Sequence, residues 1–74
     1  MALTDTGTRV RTASGENART VDNTGSTVVV EASDEAIQDC GWDAIIDVAS
    51  QKHDAGDTVP GSEPPMVRVT KSDF

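Results

Sequence analysis

The chain has little with which to staple itself. Cys40 is its single cysteine, so no disulfide can close within it and no zinc-ligand pair of cysteines exists. A disulfide-scaffolded secreted fold is therefore excluded. Aromatic residues amount to Trp42 and Phe74, with no tyrosine. Lysine occurs only as Lys52 and Lys71, and histidine only as His53. Apolar runs are as short as Val28-Val29-Val30, against the roughly 20 residues that a membrane helix requires. The opening residues Met1-Ala2-Leu3-Thr4-Asp5 combine neither a basic start nor an apolar run, which predicts no signal peptide and a cytoplasmic location. Gly-rich phosphate loops, nucleophile elbows and the His-Glu-x-x-His pattern are absent, so no enzyme activity, cofactor or metal site is expected.

What the chain does have is acid. Thirteen acidic residues, nine of them aspartate, face six basic ones, for a net charge of −7 over 74 residues. Charge of this size pushes a compact state apart in dilute buffer, and is screened once the Debye length falls to about 3 Å in 1 M salt. Two readings follow: a domain adapted to concentrated salt, or an ordinary acidic domain with a basic partner. Nucleic acid is disfavoured as a partner under both, because phosphate neutralisation needs a clustered basic face.

Polar turns at Ser14-Gly15-Glu16-Asn17 and Asp22-Asn23-Thr24-Gly25 divide the first half. Around them, residues 8–13, 18–21 and 26–32 are rich in Val and Thr and read as strands. Residues 1–7 are expected to be a disordered tail, leaving 8–74 as a single domain. At Ser33 the pattern turns helical: Ser33 is a good N-cap, and Asp34 and Glu35 suit the first turn. Ala36, Ile37 and Cys40 share one helical face, while Trp42, Ile45, Ile46 and Ala49 form a second stripe roughly opposite it. Gly41 lies at the join, so two helices are predicted, over 34–40 and 43–54, with Gly56 as the stop. Residues 57–65 hold three prolines and one glycine and read as a loop. Residues 66–70 alternate as a last strand, with Val67 and Val69 inward.

The order ββ(β)ααβ predicts an α+β fold: a small, mostly antiparallel sheet of three to four strands with both helices on one face. Its expected core is Val10, Val21, Val28, Val30, Ile37, Trp42, Ile45, Ala49, Val67 and Val69. From Val28 to Gly56, the segments Glu31-Ala32-Ser33-Asp34-Glu35-Ala36-Ile37 and Gly41-Trp42-Asp43-Ala44-Ile45 resemble small acidic haloarchaeal proteins of unknown function. The aspartate-rich, lysine-poor composition points the same way. That resemblance implies a strand, a helix, a Gly-Trp-Asp break, a second helix and a late strand, together with life in high salt. It implies no activity.

Several residues carry chemistry in principle. His53 with Asp54 and Asp57 suggests a general base or metal site, against a helix-end histidine answering the dipole. Cys40 reads as a small core hydrophobe more readily than as a nucleophile. Trp42 reads as a core plug, with an exposed docking anchor as the alternative. Asp34, Asp39, Asp43 and Asp47 follow helical spacing rather than that of a calcium loop, and Asp39, Asp43 and Asp47 would meet a basic partner if there is one. Arg9, Arg11, Arg19 and Arg68 fall on strands. They are expected to line the uncovered sheet face, where a protein partner or a second subunit docks, or to neutralise acids within the chain.

Overall fold

In the computed structural model, which describes residues 3–23 and 25–74, the helices are the most local consequence of sequence. The Ser33 hydroxyl accepts the Ala36 N–H at 3.2 Å and opens α1 (Asp34–Cys40). Gly41, at φ 84°, ends α1 by donating its N–H to the Ile37 carbonyl. Its own carbonyl accepts the Ile45 N–H of α2 (Trp42–Asp54). One residue in a conformation natural to glycine thus separates the two helices. Lys52 and His53 occupy the last turn of α2, where the dipole favours cations.

The strands are β1 (Thr4–Asp5), β2 (Val10–Arg11), β3 (Asn17–Asn23), β4 (Ser26–Ala32) and β5 (Met66–Val69), with a short 3-10 turn at Lys71–Asp73. They form one mixed sheet in the order β1-β3-β4-β5, with β2 pairing β3 beside β1. The β1, β2 and β4 pairings with β3 are antiparallel, and β4 pairs β5 in parallel. A parallel pair needs a crossover, and α1 and α2 supply it. The α+β architecture, with strands, then helices, then a late strand, is as expected. The turn at Asp22–Gly25 includes Thr24, which lies outside the described residues.

Of the tail expected to be disordered, residues 1 and 2 lie outside the described residues, and Thr4–Asp5 joins the sheet. Leu3 is buried in the core, and Thr4 and Asp5 pair with Asp22 and Val21. Between β1 and β2, residues 6–9 oppose only Arg19 and Thr20, which makes a wide bulge. Gly7 belongs there because a Cβ would stand 2.7 Å from the Thr20 backbone nitrogen.

Directly opposed residues share a face of the sheet, and the register defines two. On the helix side lie Val21, Val28, Val30, Ala32, Val67 and Val69, which pack with Ala36, Ile45 and Ala49. The opposite side carries Val10, Ala18, Thr20, Val29, Glu31, Met66 and Arg68. Val10 therefore does not join the core. It opposes Ala18 on the outer face and is 59% exposed. Ile37 and Trp42 pack against the core only partly buried, and Cys40 is likewise half-buried.

Candidate interaction face

The four arginines do not line one face. Arg11 opposes Asn17 and Arg19 opposes Val30, which puts both on the helix side. Alternation from inward Val21 already implied this for Arg19. Arg11 pairs with Asp34 at 2.8 Å and also donates to the Gly15 carbonyl. Asn17 donates to the other Asp34 oxygen, joining the start of α1 to the β2–β3 turn. The Arg11 hydrogen bond holds the Asp34 carboxyl below the usual aspartate range. Arg19 reaches back across the bulge to Asp5 and to the Gly7 carbonyl, and its guanidinium lies 5.2 Å from the centre of the Trp42 ring. Arginine over an indole face is a cation–π contact that also shields the ring. The indole N–H beneath it is enclosed without a hydrogen-bond partner.

Arg68 alone of the strand-borne arginines stands on the outer face, with its Nε 2.9 Å from Glu31 Oε1. Arg9 lies in the bulge, exposed. Lys52 pairs with Asp73 and Asp57, and Lys71 bridges Glu35 and Asp39. The bridge to Asp39 raises the Lys71 pKa, while the Thr70 N–H and then Lys52 lower that of Asp73. Among the described residues, every lysine and every arginine except Arg9 is thus ion-paired within the chain.

No family model, no curated protein and no solved structure matches this chain.

His53, Asp54 and Asp57 do not converge. His53 Nδ1 is 3.9 Å from Asp54, whereas Asp57 turns to Lys52 at 4.0 Å. Among the described residues no three His, Cys, Asp or Glu side chains are grouped as metal ligands. A cavity of about 200 Å³ is lined by Lys52, Asp57, Thr58, Val59, Pro60 and Arg68. It is smaller than the several hundred Å³ common for ligand sites. The Lys52 ammonium at its wall already donates to the Arg68 carbonyl and to Asp73. No described helix is long and apolar enough to cross a membrane.

The sheet edges are protected as well. Along the free side of β5, Met66 receives the Val59 N–H at its carbonyl and donates its own N–H to Ser62. The Arg68 carbonyl is taken by Lys52, and the Thr70 N–H by Asp73. At the other edge, the bulge interrupts β1 and β2. Both devices discourage strand addition.

What stays uncovered is the middle of the outer face. Asp22 is exposed at one end. Glu31, buried beneath Arg68, marks the other. Thr20, Thr27, Val29, Met66 and Val10 lie between and beside them, all uncharged and partly or fully exposed. The exposed Asp39, Asp43 and Asp47 belong to the helix layer.

Beside Glu31 stands a residue that the sequence reading passed over. Glu16 is part-buried, its Oε2 is enclosed without a donor, and its carboxyl reaches Glu31. Alternation outward from Val30 and Val67 would have set Glu31 and Arg68 on this face. Glu16 sits in a turn and carried no periodic signal.

Proposed function

We propose that this chain is a small, salt-adapted, non-enzymatic protein-interaction module whose outer sheet face docks a second copy of the same chain. The observation that carries this reading is the uncharged centre of that face in a molecule of net charge −7. Two such bodies repel wherever their acids meet, and an uncharged sheet face is where they approach with least cost. Charge placement along the face supports self-pairing. Asp22 lies toward one end and Arg68 toward the other, so a two-fold that lays the face head-to-tail on itself sets each Asp22 toward the opposing Arg68. Pairing the basic groups internally, rather than gathering acids, bases and nucleophiles around a cavity, favours assembly or regulation over catalysis. A cytoplasmic setting suits Cys40, whose thiol has no disulfide partner.

Sedimentation equilibrium in about 2 M KCl, where charge is screened, tests the docking. A dimer is expected, with Val29→Asp shifting it to monomer and Val29→Thr leaving it intact. A monomer up to about 1 mM, a very weak affinity, overturns it. Salt adaptation is tested by thermal unfolding in KCl raised from about 0.1 M to about 2 M. The midpoint is expected to climb, and equal stability at both ends would remove that part of the proposal.

A further inference from the structure

At the Glu31 end of the outer face, two carboxyl groups compete for one guanidinium. Glu31 is 5% exposed and its Oε1 takes the Nε–H of Arg68 at 2.9 Å. Glu16, two residues before Ala18 and diagonal to Glu31 across β3, brings its carboxyl against the Glu31 side chain. Its Oε2 is sealed from solvent and faces no N–H or O–H donor. A carboxylate oxygen buried in that way is costly, and two carboxylates in contact with one cation leave an uncompensated charge. A single proton resolves both problems, because protonated Glu16 becomes a donor to Glu31. The neighbouring charges do not supply an alternative. Arg68 is engaged with Glu31, Arg11 is engaged with Asp34, and Asp34 itself adds negative potential.

We propose that Glu16 and Glu31 share one proton and form a pH-sensitive latch between the β2–β3 turn and the Glu31–Arg68 pair. The turn it holds spans Thr12 to Glu16. There the Gly15 N–H meets the Thr12 carbonyl, and the Glu16 N–H meets the Thr12 hydroxyl at 3.2 Å. With the proton in place the turn is drawn onto the sheet. Once it is lost, two adjacent carboxylates push the turn away and loosen this end of the outer face. The Glu16 pKa is raised, first by its hydrogen bond to Glu31, then by burial and by the Glu31 charge, with Arg68 opposing. Since the folded value lies above the unfolded one, the latch contributes below the ordinary glutamate range and is lost as pH rises through the folded value. The latch is a property of the single chain and stands whether or not the face docks a second copy.

A carboxyl-carbon NMR titration of the full chain from about pH 3 to about pH 8 tests it. The Glu16 resonance is expected to titrate above the ordinary glutamate range, with an echo of the same step at the Glu31 carbon. Amide exchange at Gly15 and Glu16 should accelerate through that step beyond its intrinsic pH dependence. Glu16→Gln, which mimics the protonated acid, should abolish the acceleration. Across the window the wild type should lose up to about tenfold in folding constant per pH unit relative to Glu16→Gln. Glu31→Gln frees Arg68 for Glu16 and should bring the Glu16 titration down. Ordinary-range titration of Glu16 with no echo at Glu31 overturns the latch, as does an unchanged exchange profile in Glu16→Gln. Because these readouts are taken on monomer at low concentration, a failure of dimerisation leaves them intact.

Discussion

The two faces of this sheet are built from the same strands and obey different rules. Toward the helices, Val21, Val28, Val30, Val67 and Val69 are fully buried, and the polar residues that share that side stand at its margin. There Arg11 ties down the start of α1 and Arg19 covers Trp42. Among the described residues the outer face has no second layer, and its one buried polar side chain, Glu31, lies beneath Arg68 rather than under a packed element. The difference teaches where charge can be tolerated. At the helix margin Arg11 and Arg19 each meet one acid, whereas on the outer face two acids meet one base and a proton makes up the deficit.

The sharpest way to break the comparison is one substitution made on both faces. Val30→Ala removes a fully buried side chain and should cost about 2–3 kcal/mol by lost transfer energy and a residual cavity. Val10→Ala, on a residue 59% exposed, should stay within about 0.5 kcal/mol. Urea unfolding at fixed KCl reads both, and equal costs would mean that the two faces are not distinct.

Gly7→Ala probes the bulge that lets β1 and β2 share one lane beside β3. Its Cβ would meet the Thr20 backbone, a clash expected to cost about 1–3 kcal/mol. The loss should appear as early amide exchange in β1. A neutral result would show that the bulge yields without effort.

Arg19→Ala should cost about 1 kcal/mol through the exposed indole and the lost Asp5 contact. A red-shifted Trp42 emission would report it. Unchanged emission would mean that the guanidinium does not shelter the ring.

The smallest effect is electrostatic and separates the two faces by sign. The depressed Asp34 pKa means that its pairing with Arg11 contributes above the ordinary aspartate range and fades as pH falls through the folded value. Asp34→Asn should therefore flatten the acid limb of a stability profile, whereas Glu16→Gln alters the limb above it. If both substitutions acted on the same limb, the two carboxyl environments would be alike.

Much of the fold was legible because it is local. Ser33 and Gly41 bound α1 through hydrogen bonds within a few residues, and the β-branched run at Val28–Val30 has no better use than a strand. The errors fell where few residues carried the signal. Val10 is one apolar residue in a two-residue strand, so alternation had nothing to count. Leu3 looked like tail because its core position depends on the pairing of Thr4 with Asp22.

By itself the sequence determined the composition-level character of this protein: its acidity, its lack of staples, its two capped helices and the segments able to become strands. These follow from charge, backbone preference and periodicity, which act over a few residues. Only the tertiary structure decided which way each arginine faces, how β5 covers its own edge, and that Glu16 meets Glu31. Those outcomes depend on register and on contacts between residues far apart in the chain, where one step of pairing moves a side chain to the other face.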